Sequence, residues 1–241
     1  MDPLFKVQLI AATPNPQLCV YAAMHQDYSE GFVAADRENW PDEQRAGEIC
    51  VKRLLAGGRG HYGPMEHAQI VLNVGWFPHS VMQQARTHRV GVSFDVQSMR
   101  YTGERMCRAA NGDLDLEEVF YLRPVGDYSD RQGKKYAYTE SQRAVDLDHC
   151  RASAERYRDL LSAGFAEEHA RGILPFDYRQ HFVVSFSLRA FLHFMDLRAK
   201  LDAQLEIRQL CDLMWPHCHD WAPELCHWYA FNRLGRARLA P

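Results

Sequence analysis

The chain has no apolar run approaching the ~18–20 residues a membrane span needs, so no membrane association is expected. It has little net charge. With 28 Lys+Arg against 31 Asp+Glu the balance is −3, so no global basic field draws it onto nucleic acid or an anionic membrane, and any anion binding is local. It also lacks a cysteine framework. Cys19, Cys50, Cys107, Cys150, Cys211, Cys218 and Cys226 are an odd set at wide spacing, which predicts free, mostly buried thiols in a reducing cytosol. Residues 1–11 lack the basic start, apolar stretch and small-residue cleavage site of a secretory signal. No repeat, low-complexity tract or linker is evident, so a cytoplasmic protein with one domain over 1–241 is expected.

What is present is ordinary globular composition, 46% hydrophobic and 24% charged, in a chain long enough to bury a sizeable core. Residues 5–12 are apolar and loosely alternating, which predicts a strand ended by Pro14-Asn15-Pro16. Residues 41–55 predict a helix, with Pro41 in its first turn, Asp42 and Glu43 at its positive end, and Gly57-Gly58 stopping it. Residues 66–74 set Ala68, Ile70, Leu72 and Val74 against Gln69 and Asn73, which predicts a strand. Pro78 opens a short helix toward Arg86. Residues 93–102 are expected to be extended or looped between hinges at Gly91 and Gly103, residues 119–122 to add a strand, and polar 127–135 to form a surface loop.

Residues 141–163 read as an amphipathic helix carrying Leu147, Tyr157, Leu160 and Leu161. After Pro175, residues 178–197 are apolar nearly all round and read as a buried helix; 201–214 and 221–231 add two more. The expected class is α+β: mixed helices packed with an antiparallel-rich sheet, the C-terminal half helix-rich.

The densest chemistry lies in residues 84–103, Q-A-R-T-H-R-V-G-V-S-F-D-V-Q-S-M-R-Y-T-G. Arg86, Arg89 and Arg100 join His88, two serines and two glutamines, against a single carboxylate, Asp95. Planar, permanently charged guanidinium groups in such a window suit a bidentate grip on an anion. Upstream lies His61-Tyr62-Gly63-Pro64-Met65-Glu66-His67. Downstream lie Ala170-Arg171-Gly172-Ile173-Leu174-Pro175, then Leu197-Arg198-Ala199 and Ala203-Gln204-Leu205-Glu206-Ile207.

In that order these segments resemble the flavin-dependent thymidylate synthases. Gln84, His88, Arg89, Ser98, Arg100 and Tyr101 match the family's signature of R-H-R, seven residues, Ser, then x-R-Y, with a Gln three residues before the first Arg. The upstream segment is similar to the family's H-x-x-P-x-E-H, and the downstream one to its A-R-x-x-L-P. The likeness spans residues 61–207. Two departures stand out. Thr87 takes the place of the first Arg, with Arg86 one residue earlier, and eight residues rather than seven separate Arg89 from Ser98, the extra one falling within Val90-Gly91-Val92.

The resemblance implies methylation of dUMP to dTMP, with carbon from 5,10-methylenetetrahydrofolate and reducing equivalents from NADPH through bound FAD. It implies a homotetramer with sites where subunits meet, and no cysteine nucleophile. By family position, Gln84, Arg86, Thr87, Val96, Gln97, Ser98, Arg100, Arg171 and Arg198 would bind dUMP. Arg100 and Arg171 suit its phosphate. Arg198 is the implied catalytic residue, stabilising negative charge as the pyrimidine N3 loses its proton. Gly63, Thr87, His88, Arg89, Ser187, Arg189 and His193 would touch FAD, whose pyrophosphate adds to the demand for cations; His61 and Tyr101 would line the opening for folate or nicotinamide. Ser187 and His193 replace the family's usual asparagines. Val96 stands where Glu is frequent, and Asp95 or Gln97 is placed to compensate.

Plainer readings compete. The three arginines of the window also suit a solvated face, Arg189 and His193 share a helix face that packing alone explains, and His61 and His67 suit hydrogen-bonded burial. Arg198 suits an ion pair with Asp196, Asp202 or Glu206. Pro216-His217-Cys218-His219 resembles the Pro-Cys-His nucleophile of the other thymidylate synthases, but in the wrong order. Cys211, His217, Cys218, His219, Cys226 and His227 are zinc-type ligands without a C-x-x-C, so no metal is expected, and a zinc-dependent hydrolase or zinc-stabilised scaffold is the alternative. An Arg-rich nucleic-acid module stacking bases on Trp40, Trp76 or Tyr101 is opposed by the net charge of −3.

Overall fold

In the computed structural model, which describes residues 1–57, 60–130 and 132–235, the chain forms these elements in order. They are β1 (Lys6–Ala12), α1 (Pro16–Gln26), α2 (Glu43–Cys50), β2 (Gln69–Pro78), α3 (His79–Ala85), β3 (Val92–Val96), α4 (Met99–Thr102), α5 (Glu104–Asn111) and α6 (Leu116–Val119). There follow β4 (Gly126–Ser129), β5 (Lys135–Tyr138), α7 (Glu140–Ser162), α8 (Glu167–Ala170), β6 (Arg179–Ser187), α9 (Leu188–Arg198), α10 (Leu205–Trp221) and α11 (Pro223–Asn232). Single 3-10 turns occupy Gly63–Glu66 and Arg171–Ile173, and a π-helical turn at Val51–Leu55 extends α2. Four strands form one sheet in the order β1-β2-β6-β3, and β4 pairs antiparallel with β5. The class is α+β.

Several sequence expectations are corrected. The stretch 178–197 is not one helix: β6 fills its first half and α9 its second. Residues of β6 alternate between buried and half-buried, and its β-branched and aromatic run Phe182-Val183-Val184 is stabilised by sheet partners on both sides. The expected loop at 127–135 is largely a hairpin, with Tyr128 and Tyr136 paired across it at 5.9 Å. The expected strand at 119–122 is reduced to one bridge, Phe120 to Tyr178, after the short helix α6. Ser98 begins α4, so 93–102 is strand then helix. Pro41 lies before α2, whose N-cap is Asp42, accepting the Arg45 N–H at 2.7 Å. Helix α1 had no sequence expectation. Gly91 has the left-handed φ of a hinge (67°), whereas Gly103 is helical. Gly58 lies outside the described residues.

The chain groups into two compact units. The first comprises Met1–Lys6, Val74–Thr87 and Asp95–Phe182. Its core packs Met99, Met106, Val119, Phe120, Tyr157 and Leu160 between α4, α5, α6 and α7. A capping box between Thr139 and Gln142 starts α7. Arg179 is the largest fully buried side chain here. Its guanidinium donates to the carbonyls of Glu117 (2.5 Å) and Trp76 (2.8 Å) and to the Asp2 carboxylate (2.7 Å), and it lies over the Phe5 and Tyr121 rings. Spread over three acceptors and two rings, the charge is fully compensated, which buried ions require.

The second unit comprises Val7–Asn73, His88–Phe94 and the chain from Val183 onward. Two of its helix starts are satisfied from elsewhere in the unit. The Glu43 carboxylate accepts the Gln17 and Leu18 N–H groups of α1, both at 2.8 Å. Buried Gln17 in turn accepts the Glu224 and Leu225 N–H groups of α11 at 2.9 and 3.2 Å. These side chains meet the orphan donors that every helix start exposes.

Candidate functional site

The second unit holds a cavity of about 280 Å³ built where β6 turns into α9. Ser187 ends the strand and caps the helix: its hydroxyl accepts the Ala190 N–H at 3.2 Å, while its own N–H donates to the Gly91 carbonyl at 2.8 Å. This fixes the first turn of α9, and Arg189 and His193, one turn apart, both reach the cavity wall. Arg189 is paired with Glu66 at 2.6 Å. Nδ1 of His193 is buried without a hydrogen-bond partner. The rest of the wall is mainly apolar, including Leu55, Met65, Val90, Leu192 and Trp228. Asp196, also at the cavity, is 3% exposed and accepts from the Tyr229 hydroxyl (2.7 Å) and from Arg233 (2.9 Å). Burial, then that hydrogen bond, pushes the Tyr229 phenol well above its usual range.

Arg198 ends α9. Its Nε–H donates to Nε2 of His88 at 3.0 Å. The expected partner Asp196 is engaged by Tyr229 and Arg233. His88 is itself buried, its ring against Phe194 (4.9 Å) and His193 (5.6 Å). Burial, and then the charge of Arg198, lower its pKa to about 4, so its imidazole is neutral at physiological pH and able to accept. Burial also lowers the Arg198 pKa, while the nearby Cys211 opposes the change.

The remaining expected residues divide between the units. In the first, Gln84, Arg86 and Thr87 close the end of α3, the Thr87 hydroxyl donating to the Gln84 carbonyl at 2.7 Å. Val96 ends β3 and Gln97 follows it. The Gln97 N–H donates to the His181 carbonyl at 2.9 Å, its side-chain oxygen accepts the His181 N–H at 3.4 Å, and its carbonyl accepts from the Gln180 amide at 2.8 Å. Ser98 is the N-cap of α4 and makes no side-chain capping bond. Exposed Arg100 lies 3.7 Å from Glu168 on α8, and Arg171 follows α8 on the same short segment, so the two phosphate candidates sit on neighbouring elements. Tyr101 is exposed.

In the second unit, Arg89 is exposed, Gly63 lies in the 3-10 turn beside the cavity residues Tyr62 and Met65, and His61 pairs with Asp27 at 2.8 Å. His61 is therefore an exposed hydrogen-bond partner of Asp27 rather than the buried histidine of the plainer reading. The cavity also recruits residues given no ligand-binding role from sequence: Glu66, Val90, Asp196, Trp228, Tyr229 and Arg233. Glu66 stood within a recognised motif; α11 was expected as a helix over 221–231, without a part in this site.

Among the described residues no group of three or more His, Cys, Asp and Glu is placed to hold a metal, and no helix is long and apolar enough to cross a membrane. The thiols of Cys218 and Cys226 lie 3.4 Å apart and fully buried. Burial raises the Cys218 pKa well above the thiol range, so this group is a poor nucleophile.

The family model described as "Thymidylate synthase complementing protein" matches residues 8–224. The flavin-dependent thymidylate synthase of Haloarcula marismortui is 33% identical over 255 residues, covering 98% of this chain and 99% of that one. That of Halobacterium salinarum is 30% identical over 250 residues, covering 98% and 100%. Among solved structures, the UMP/dUMP methylase PolB from Streptomyces cacaoi bound with 5-Br dUMP shares the fold at TM-score 0.73, with 20% identity over 98% of this chain and 97% of that one. Thymidylate synthase X from Helicobacter pylori with FAD and dUMP does so at TM-score 0.68, with 17% identity over 92% and 98%. Sequence motifs, matched length and fold agree, and the chain belongs to the flavin-dependent thymidylate synthase family.

Proposed function

We propose that this protein converts dUMP to dTMP with FAD as its bound cofactor, 5,10-methylenetetrahydrofolate as carbon donor and NADPH as reductant. The observation that carries this reading is the second-unit cavity. It gathers Ser187, Arg189 and His193, three residues assigned to flavin by family position. Its mainly apolar walls fit a planar aromatic ring system, and buried Nδ1 of His193 fits a polar edge of one. With Gly63, Thr87, His88 and Arg89 these residues would hold FAD. The cofactor supplies the hydride that completes the new methyl group.

The chain's own residues bind, orient and stabilise charge. Arg100 and Arg171 grip the dUMP phosphate, with Gln84, Arg86, Thr87 and Ser98 adding donors. Val96 and Gln97 are assigned to dUMP by family position. Arg198 stabilises the negative charge that develops on the pyrimidine as N3 loses its proton, and a preorganised guanidinium does so without reorganisation. No cysteine serves as nucleophile, in keeping with the raised pKa and complete burial of Cys218. His61 and Tyr101 face the co-substrates.

The exposed turn at Val90-Gly91 is a suitable place for the extra residue of the signature. The working form is a cytoplasmic homotetramer of one-domain chains, with subunits meeting at the sites. Exposure of Val90 (82%) and Tyr101 (83%) beside assigned residues favours a partner there.

The test is an absorbance spectrum of protein incubated with FAD, desalted, and titrated with dUMP and then UMP. A retained flavin band that shifts with dUMP and not with UMP supports the reading; a colourless protein refutes it.

A further inference from the structure

We propose that His88 is the positioning residue for Arg198, its Nε2 accepting the Arg198 Nε–H and so setting the plane of the guanidinium. The inference rests on the proposed role of Arg198 but concerns a residue expected from sequence only to touch cofactor.

Three observations carry it. The bond is 3.0 Å, from the one guanidinium nitrogen that lies nearest the side-chain stem, so it fixes the plane of the fork as well as its location. His88 is 8% exposed and wedged against Phe194 and His193, so its ring cannot turn away without repacking α9. Because Nε2 accepts, the ring proton resides on Nδ1, and one tautomer is selected. His193 and Phe194 lie beside the imidazole and Cys211 of α10 near the guanidinium, and the charge of Arg198 disfavours protonated His88.

A cation that stabilises developing charge is effective only if its orientation is set beforehand. A neutral imidazole acceptor helps to supply that orientation without adding a negative charge of its own. A carboxylate in the same place would hold the fork but offset its charge. Histidine between Thr87 and Arg89 is thus suited to orientation, and its flanking residues remain available for ligands.

The test uses the FAD-loaded, full-length protein and His88→Ala, His88→Gln, Arg198→Ala and the double variant His88→Ala/Arg198→Ala. His88→Ala is expected to lower kcat for dTMP formation, measured with FAD saturating, by about 10- to 100-fold, with KM for dUMP within about threefold. His88→Gln, whose amide oxygen can accept the same N–H, is expected to recover most of the loss. In the Arg198→Ala background, His88→Ala is expected to add less than about twofold. An additive double variant, an unaffected kcat, or a loss explained wholly by lost flavin would overturn the proposal.

A second readout does not need turnover. 15N NMR of the wild-type protein should show His88 as the Nδ1–H tautomer, with its titration moved toward the ordinary histidine range in Arg198→Ala. If His88 proves to be the other tautomer, the proposal fails whatever the protein catalyses. If the tautomer is as expected but the wild type makes no dTMP, the proposed function fails and the hydrogen-bonded pair stands.

Discussion

Gly91 is where the signature's irregular loop meets Ser187 at the wall of the second-unit cavity, and replacing it with alanine should damage both. Its φ of 67° lies in the left-handed region, where a side chain costs about 1–2 kcal/mol. A Cβ there would also lie 2.6 Å from the Ser187 hydroxyl oxygen and 3.0 Å from the Ala190 Cβ. Ser187 cannot yield freely, because that oxygen caps α9. Displacing it forfeits a cap worth about 1 kcal/mol, and overpacking adds roughly 1–3 kcal/mol. We expect Gly91→Ala to destabilise the protein by about 3 kcal/mol or more, read by urea or thermal denaturation, and to weaken flavin retention.

Gly91→Asn separates the causes. Asparagine tolerates positive φ but brings the same Cβ, so it should be nearly as damaging. Combining Gly91→Ala with Ser187→Ala should cost less than the sum of the two, because the 2.6 Å approach disappears. A Gly91→Ala protein within about 0.5 kcal/mol of wild type would refute the reasoning. Full recovery with asparagine would show that φ alone matters.

Other outcomes follow from the same geometry. The His88 pKa is lowered in the folded protein, so the unfolded chain binds the extra proton between pH 6.5 and about 4; stability should be complete above 6.5 and fall as pH drops toward 4. The loss is up to roughly 3 kcal/mol, and a His88→Gln protein that shows the same slope in urea titrations would contradict it. Arg171→Ala should raise Kd for dUMP by the roughly 1.5–3 kcal/mol of a charged hydrogen bond, about 10- to 100-fold; unchanged binding by calorimetry would remove Arg171 from the site. Arg179→Met should cost about 3–5 kcal/mol because Asp2 and two carbonyls lose their buried donor; a wild-type denaturation midpoint would show that the network is dispensable.

The chemistry of this chain was more legible in sequence than its strands. The window from Gln84 to Gly103 stands out by composition alone, and its motifs carry the family. Elements with local signals were also readable: Asp42 before α2, the amphipathic stripe of α7, and Pro78 before α3. The merged reading of 178–197 failed because apolarity on all sides fits a buried strand as well as a buried helix, and only pairing within the sheet decides. The hairpin at 126–138 was read as a loop because its charged residues dominate the local composition, and the pairing of Tyr128 with Tyr136 shows only in the folded chain. Helix α1 follows Asn15 at φ 49° and takes its first N–H partners from Glu43, 25 or more residues away, so its start is a tertiary fact. The same holds at the site. Arg198 and His88 were both singled out, yet no spacing rule joins residues 110 apart. Asp196, Tyr229 and Arg233 carried no motif, and folding alone brings them to the cavity.

The central claim is that these residues methylate dUMP, and product formation tests it most directly. Purified protein is supplied with FAD, dUMP, 5,10-methylenetetrahydrofolate and NADPH, and dTMP is quantified by chromatography with each component omitted in turn. The account predicts dTMP from the complete mixture, none when dUMP, the folate or the reductant is withheld, and little from Arg198→Ala that still retains flavin. Wild-type protein that binds FAD and dUMP yet forms no dTMP under these conditions would contradict it.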